Sequence, residues 1–534
     1  MATYLRHNAW NNGGNFTNLD LFWYAKGVEK MMSRGLNDPA SWWFYAAIHG
    51  EYVNPNTPWY PRPPAFPAWG YITAPPRVPT SPLPAPASLS LYWNQCQHGS
   101  WYFLPWHRGY LMALEVQLRT DIVSLGGPST WALPYWDYFG GTNGNQYQMP
   151  PAFAARTLPD GSLNALYVSM RYGPDGNRNI YVPTPAGAAA HPGDPNFQYG
   201  IVTKDALKNN LFTGSNAVTP PPGFGGPETG FSHSGRAHGN FESNPHDLVH
   251  VYVGGQVSDT DYGLMADPGT AALDPIFYLH HCNIDRLWGV WNASGNANPT
   301  SAAWLNGPAT RKFAMPTPNG QPWYYTPAQV QNLSNLNYSY QELQAQPIPH
   351  APIVAKRLEM LGATEATAKA TSEAATTAVP KQPELLGASA GPLTLTGKGA
   401  HTTVKLDATE RQHTLKSFAL AADHLPDKAF LKLENVRGTF DATALSIYVP
   451  TTGGKELLAG TVGLFGLRRA SVPDGEHAGE GLTFILDITP IIDQLHLSNG
   501  LSGDTIPVDI VPNRPLPENT EIQVGRVSVY RQEF

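Results

Sequence analysis

The chain has 534 residues, a formal net charge of −7 and a charged fraction of 14%. This balance favours neither nucleic acid nor an anionic membrane as a partner. Its two cysteines, Cys96 and Cys282, cannot build a disulfide framework. No signal peptide is visible, and no apolar run reaches the roughly 18 residues of a membrane span. We therefore expect a soluble, cytoplasmic protein, with export on a carrier protein left open.

The first candidate group of histidines comes from the N-terminal third of the chain. Residues 19–35 have helical periodicity, and residues 38–41 look like the start of a second helix that ends near His49. His98 precedes a third, amphipathic helix that Pro105 opens, and His107 falls in the first turn of that helix. The pattern places His49, His98 and His107 on three neighbouring segments.

A second group follows between residues 246 and 291. His246 and His250 are four residues apart, so a helix would present both imidazoles on one face. His280 and His281 follow Asp274 on a second helical segment, which also carries Asp285. Taken alone, such a pair could be two half-buried structural histidines. With a second group in the same chain, the pattern predicts a metal site with three histidines.

The absence of carboxylate and thiolate ligands narrows the choice of metal. Sites made only of imidazoles suit copper, zinc or iron. Catalytic zinc seldom uses two all-histidine triads, which argues against a zinc hydrolase. Two three-histidine groups side by side suit a dinuclear copper centre that binds dioxygen between its metals.

Five motifs carry a family resemblance: AAIHG (46–50), QHGSWYFLPWHRGYLMALE (97–115), PYWD (134–137), HDLVHVYVGG (246–255) and DPIFYLHHCNIDRLW (274–288). Together they resemble the type-3 copper family of tyrosinases, catechol oxidases and hemocyanins, over about residues 4–345. The resemblance implies two copper ions, with dioxygen as co-substrate. It assigns the first copper to His49, His98 and His107, and the second to His246, His250 and His280. His281 would then lie behind the ligands.

The resemblance also assigns residues around the metals. Cys96 would form a thioether with His98, the alternative being a free buried thiol. Glu242 would hold a water that helps deprotonate a phenol, unless it only caps the His246 helix. Asp247 stands where members that hydroxylate monophenols often carry Asn, and it could orient the same water or act as the base itself. His233 and His238 are expected at most at the rim of the site.

Four residues are assigned to the substrate pocket. Phe277, three residues before His280, resembles an aromatic residue that packs on a ligand ring and on the substrate, the alternative being plain core packing. The other three follow from their position near the family's substrate entrance: Val251, Met265 and Ala266.

The C-terminal part has a different character. We expect a mainly α catalytic domain at 1–355, a helical bundle with many loops, then an Ala/Thr-rich linker at 356–390 and an all-β, sandwich-like domain at 391–534. This C-terminal domain resembles the shielding domain of plant and some bacterial polyphenol oxidases, which covers the copper entrance.

One side chain of such a domain would block the entrance as a plug, and the candidates are Tyr448, Leu464 and Phe465. The alternative is a domain for folding or oligomer assembly. By the same resemblance, Arg6 pairs with the Tyr338-Ser339-Tyr340 motif.

The sequence thus predicts a tyrosinase, which hydroxylates monophenols such as tyrosine at the ortho position and oxidises catechols to o-quinones. It also predicts a pro-enzyme whose active site is covered by the C-terminal domain. A catechol oxidase has the same site without useful hydroxylation, and Asp247 keeps that alternative open. An oxygen carrier like hemocyanin is the third possibility. No nucleic-acid or membrane partner is expected. A homo-oligomer, a copper chaperone and a role in melanin formation are left open.

Overall fold

The computed structural model describes residues 4–53, 69–72, 75–140, 145–191, 201–214, 221–233, 236–258, 261–344, 350–375, 381–420, 425–451, 453–473, 479–518 and 520–533. Two hydrophobic cores organise them. The first is built from buried residues between Ala9 and Tyr340, and the second from buried residues between Leu386 and Val529. The cores interlock, because Phe465 packs in the first and Ala266 in the second. This confirms the predicted helical region followed by a β-rich region.

Helices dominate the first region and begin close to where the sequence predicts. The Asn18 side chain accepts a hydrogen bond from the amide of Asp20, and the Ser41 side chain accepts one from the amide of Phe44, so both predicted helix starts are capped. Pro105 lies in the first turn of its helix, as predicted, where its missing N–H costs nothing. The principal helices are Leu19–Met32, Trp42–His49, Pro86–Tyr92, Phe103–Ser124, Pro185–Ala190, Leu248–Gly254, Ile276–Ala293, Ala302–Leu305 and Pro327–Val330.

Short strands tie the ends of this region together. Tyr4–Arg6 pairs in parallel with Tyr338–Tyr340, which joins the start of the region to its end. The other short strands are Gln256–Ser258 with Asp261–Tyr262, and Phe313–Pro316 with Pro322–Tyr325.

The predicted partnership of Arg6 with the tyrosine motif is confirmed. The Arg6 guanidinium donates to the Tyr340 hydroxyl at 2.7 Å and lies 3.8 Å from the centre of the Tyr338 ring. Asp285 accepts hydrogen bonds from both tyrosine hydroxyls and from Arg108. Asp285 therefore anchors the helix that carries His280 and His281.

A ten-stranded sheet forms the second region, where the sequence predicted a β domain. Helices Ala408–Ala419, Leu467–Ser471 and Thr489–Leu497 accompany the sheet and were not predicted. The strands are Glu384–Ala388, Leu393–Leu395, Ala400–Leu406, Lys428–Gly438, Ala444–Pro450, Glu456–Gly463, Leu482–Asp487, Thr505–Pro512, Ile522–Val524 and Arg526–Gln532.

The segment predicted as a linker is partly helical. Helices His350–Met360 and Glu365–Ala375 pack on each other through Leu358 and Ala368. Arg357 donates to the Asp493 carboxylate at 2.8 Å, which attaches this helical hairpin to the sheet region. The first strand of the sheet begins at Glu384, within the predicted linker. In the part of the chain that the structure describes, no helix is long and apolar enough to cross a membrane.

Candidate dinuclear metal centre

Three histidines from separate segments meet in the first region and form what we call the first histidine set: His49, His98 and His107. His49 ends the helix Trp42–His49, and His107 lies one turn into Phe103–Ser124, which begins two residues before the predicted start at Pro105. The ring centre of His98 lies 5.3 Å from that of His49 and 5.4 Å from that of His107. The three histidines that the sequence grouped together therefore lie close to one another in the structure.

Four histidines form the second histidine set: His246, His250, His280 and His281. One ring nitrogen from each lies within 4.8 Å of the others. His246 belongs to a π-helical turn, Glu242–Asp247, which runs directly into the helix Leu248–Gly254. His250 lies on Leu248–Gly254, and His280 and His281 lie side by side on Ile276–Ala293. Two helices therefore supply this set, as the spacing predicted.

The two sets face each other. The ring of His98 lies 5.8 Å from that of His246 between centres. The rings of His107 and His281 are stacked, with centres 4.5 Å apart and planes inclined by 14°. Two metal ions held by these sets would therefore share one space.

Hydrogen bonds orient the ligand rings. In four of them Nδ1 is bonded to an oxygen, which leaves Nε2 directed into the shared space. Five Nε2 atoms are buried and have no hydrogen-bond partner among the described residues: those of His49, His98, His107, His246 and His280. The Nδ1 partners are the carbonyls of Pro268 for His49 (3.0 Å), Phe103 for His107 (2.8 Å) and Met265 for His250 (2.9 Å), and the carboxylate of Asp247 for His246 (2.9 Å).

The protonation state of the imidazoles fits copper. Burial is the largest cause that lowers the pKa of all seven histidines, and it lowers those of His107 and His250 to about 3. Neutral imidazole is the form that ligates a metal. A set of orphaned, neutral imidazole nitrogens with no carboxylate among them suits copper.

The geometry distinguishes His280 from His281. Nε2 of His281 lies 3.4 Å from Nε2 of His250, a separation that suits two ligand atoms of one metal. The His281 ring also contacts His107 of the first set. Nδ1 of His280 lies 3.3 Å from the Tyr138 hydroxyl, and no ring contact joins His280 to the first set among the described residues. These contacts favour His281 as the third ligand, whereas the buried Nε2 of His280, without a partner among the described residues, favours the residue assigned from the sequence. The assignment of His280 therefore stays a prediction.

Cys96 lies beside a ligand of the first set, as predicted. Its sulfur is 3.5 Å from Nδ1 of His98 and 3.0 Å from Nδ1 of His233. The Cys96–His98 proximity supports the predicted thioether pair. His233 is buried against the sulfur and not at an exposed rim.

Buried acids lie on the side of the second set. Both oxygens of Glu242 are 3.0 Å from the amide nitrogen of Gly99, next to His98. The Asp247 carboxylate is held on both sides, by Nδ1 of His246 at 2.9 Å and Nδ1 of His238 at 2.6 Å. Burial raises the pKa of Glu242 to about 8, and that of Asp247 is also raised, first by burial. Burial lowers the pKa of His238, but the two carboxylates outweigh it and bring that pKa to about 9.

The four predicted pocket residues are all buried. Phe277 packs edge-on against His49, with ring centres 4.8 Å apart, and lies 4.2 Å from the ring of His281. Its predicted contact with ligand rings is therefore present. Met265 orients His250 through its carbonyl, and Ala266 packs with the core of the sheet region. Val251, Met265 and Ala266 do not line the cleft beside the first set, so their assignment to the substrate pocket stays a prediction.

Phe465 of the sheet region covers the second set. Its ring is 1% exposed and stacks on His250, with centres 4.1 Å apart and planes inclined by 18°. Gly463, two residues earlier, approaches Asp247 so closely that a Cβ atom there would lie 3.1 Å from its backbone. Of the three plug candidates, Phe465 contacts the histidines and Leu464 packs in the second core. A small cleft remains, lined by His98, His233, His238, Pro268, Phe465, Gly466, Arg469 and Leu482.

Arg469 is a site residue that the sequence did not reveal. It is buried in the helix Leu467–Ser471, and its guanidinium contacts Nε2 of His233 at 2.8 Å. Nothing in the local sequence distinguishes it from Arg468, because its partner is 236 residues away in the chain.

Comparisons with known sequences agree with this site. The family profile described as the common central domain of tyrosinase matches residues 39–294, and a profile described as a domain of unknown function matches residues 382–532. A tyrosinase of Hahella sp. (strain CCB-MM4) is 34% identical over 529 residues, which cover 96% of this chain and 97% of that protein. The chloroplastic catechol oxidase B of Solanum tuberosum is 29% identical over 211 residues, which cover 39% of this chain and 33% of that protein.

A solved structure of similar fold extends over both regions. The structure of a latent apple tyrosinase matches with a TM-score of 0.54, covering 100% of this chain and 98% of that chain, at 19% identity. That likeness concerns the fold alone, whereas the near full-length sequence match identifies the family. The chain belongs to the tyrosinase family, and its two histidine sets form a type-3 dicopper centre.

Proposed function

We propose that the chain is a latent tyrosinase, which hydroxylates monophenols at the ortho position and oxidises o-diphenols to o-quinones with dioxygen. The observation that carries this proposal is the buried carboxylate of Glu242, fixed by the amide of Gly99 beside the ligand His98. The tyrosinase relative that matches nearly the whole chain supports it. The copper ions, when bound, supply dioxygen binding and the redox chemistry.

Glu242 is the proposed acceptor of the phenol's proton. A phenol has a pKa of about 10, so an ordinary carboxylate is a weak base toward it. Burial raises the pKa of Glu242 to about 8, so its carboxylate is a stronger base toward a phenol than an ordinary carboxylate. Asp247 is less suited to this role, because each of its oxygens already contacts an imidazole. Its proposed task is to orient His246.

The third ligand of the second copper is proposed to be His281. Its Nε2 lies beside that of His250, and its ring stacks on His107. His280 would then support the helix from behind, with Nδ1 near the Tyr138 hydroxyl.

Phe465 supports the proposed latency. Its ring occupies the face of His250 with the near-parallel geometry that an aromatic substrate would adopt. A phenol cannot reach that face while Phe465 is there, because both rings would need the same volume. Phenolic substrates such as tyrosine and catechols would therefore enter only after the sheet region moves away or is removed.

A catechol oxidase is the second candidate. The observation that favours it is the double engagement of Asp247 with His246 and His238, since monophenol-hydroxylating relatives often carry Asn at this place. A catechol needs less help with deprotonation at the site than a monophenol, so this function would tolerate the difference.

Parallel assays of the copper-loaded enzyme, freed of its C-terminal region, distinguish the two. Quinone from tyrosine after a lag, together with quinone from catechol, is the expected result. Quinone from catechol alone would overturn the tyrosinase assignment in favour of catechol oxidase. Turnover of neither, with reversible dioxygen binding, would overturn both in favour of an oxygen carrier.

Glu242→Gln tests the proton acceptor within the same assay. Loss of a general base typically costs about 100-fold or more. We expect a fall of that size in kcat/KM for tyrosine and a much smaller fall for catechol. Equal falls for both substrates would contradict the assigned role.

A further inference from the structure

Cys96 lies between two imidazoles with different roles. On one side is His98 of the first set, with Nδ1 at 3.5 Å from the sulfur. On the other is His233, whose Nδ1 lies 3.0 Å from the sulfur and 2.9 Å from the Cys96 carbonyl oxygen. Because Cys96 and His233 are buried, their contacts are made with protein groups and decide how the sulfur is directed.

The tautomer of His233 follows from its third contact. An arginine guanidinium can only donate hydrogen bonds. Nε2 of His233, 2.8 Å from the Arg469 guanidinium, must therefore accept, and the ring proton must reside on Nδ1. That N–H points at the carbonyl and the sulfur of Cys96. Arg469 thus fixes the direction in which His233 donates.

This chain of contacts crosses from one region to the other. Arg469 lies in the helix that follows the Phe465 loop, and it is 4% exposed. Its guanidinium also lies 5.9 Å from the centre of the Tyr52 ring in the helical region. The contact with His233 therefore exists only while the sheet region is docked.

We propose that Arg469 and His233 are positioning residues that hold the Cys96 sulfur against His98, so that the docked C-terminal region promotes the thioether crosslink between Cys96 and His98. The C-terminal region then has two roles in one place: Phe465 blocks the second set, while Arg469 assists maturation of the first. The proposal rests on the dicopper centre and not on which phenol the enzyme uses.

The crosslinking step balances as a two-electron oxidation. The S–H bond of Cys96 and a ring C–H bond of His98 break, and one C–S bond forms. Dioxygen, the co-substrate of the family's reaction, takes up the two protons and the two electrons and leaves as hydrogen peroxide. Copper, when bound, would supply the redox chemistry. His233 keeps its own proton throughout, because its part is to orient the sulfur.

The test follows crosslink formation by mass. The 534-residue chain, purified without copper, is given copper(II) and air, and samples are quenched over time. Mass spectrometry then measures the mass of the peptide that contains Cys96 and His98. The crosslink removes the mass of two hydrogen atoms. Arg469→Met removes the donor while keeping bulk, Arg469→Lys keeps a donor, and His233→Phe removes the ring N–H. Arg468→Met is the control, because it removes the neighbouring guanidinium, which donates to the Thr439 carbonyl, and leaves Arg469 in place.

Wild type and the Arg468→Met chain are expected to crosslink at the same rate. Arg469→Met and His233→Phe are expected to be about fivefold to tenfold slower, as for one lost buried hydrogen bond, with Arg469→Lys in between. If Arg469→Met and His233→Phe both crosslink at the wild-type rate, the proposal is overturned. If Arg469→Met does not take up copper, His233→Phe decides alone. A wild-type enzyme that oxidises catechol without any crosslink would also overturn this proposal, while leaving the proposed function intact.

Discussion

The ligand rings of the first histidine set are held by carbonyl oxygens and a sulfur, whereas His246 of the second set is held by the carboxylate of Asp247. The two sets also differ in how closely the Phe465 ring packs on their histidines. The Phe465 ring stacks on His250 at 4.1 Å but meets His98 only edge-on at 6.0 Å. Charge, proton acceptors and the blocking ring are thus concentrated on the side of the second set. If the proposed function holds, we expect proton transfer and substrate access to be controlled on that side.

The largest effect is expected from the third ligand of the second set. His281→Ala should lower catechol oxidation by more than about 100-fold, because it removes a proposed copper ligand. His280→Ala is the matched control from the neighbouring position and should cost about tenfold, as loss of a residue that supports a ligand. Initial rates on catechol with copper in excess measure both. A larger loss in His280→Ala than in His281→Ala would show that His280 is the third ligand, as the sequence resemblance assigned.

Removing the plug should have the next largest effect. Phe465→Ala in the uncleaved chain should raise catechol oxidation about tenfold, since the ring contacts that favour the blocked state are lost. Leu464→Ala is the control, because Leu464 packs in the second core and should lower stability without raising activity. Rates of quinone formation and thermal unfolding of both variants give the comparison. Equal activation by both would mean that loosening the sheet region, and not the Phe465 ring, opens the site.

The last comparison concerns stability and not rate, and it uses the metal-free chain in acid. The pKa values of the histidines in both sets are lowered in the folded state, those of His107 and His250 to about 3. Below a pH of about 6.5 the unfolded chain therefore binds more protons, so the free energy of unfolding falls as the pH falls. The expected loss is about 1 kcal/mol per buried imidazole in the first pH unit below that value.

Urea unfolding midpoints of the metal-free and copper-loaded chains at neutral and mildly acidic pH measure this loss. The copper-loaded chain should lose less, because bound metal stabilises the neutral imidazoles. Identical midpoints of the metal-free chain at both pH values would show that the histidines are not buried in neutral form.

Short-range patterns account for what the sequence predicted well. The spacing of His246 and His250 and the position of His107 after Pro105 are local features, and local hydrogen bonding fixes the helices that carry them. Alternating apolar residues likewise predicted the strands of the second region. The choice between His280 and His281 depends on how one helix is rotated in the bundle, because neighbouring residues point about 100° apart.

Long-range contacts account for what the sequence did not predict. Phe465 reaches His250 and Arg469 reaches His233 only through the docking of the two regions. No sequence signal marks Arg469, and the sequence left Phe465 as one of three plug candidates. The order of the sheet's strands, which brings both residues to the site, is also absent from the local pattern. These are the residues on which latency and the proposed maturation depend.

Metal analysis tests the central claim most directly, that the two histidine sets form one dicopper centre. The wild-type chain, loaded with copper and dialysed, should retain two copper ions, and the His281→Ala chain should retain one. A wild-type chain that retains a single copper, or retains zinc in preference to copper, would contradict the account.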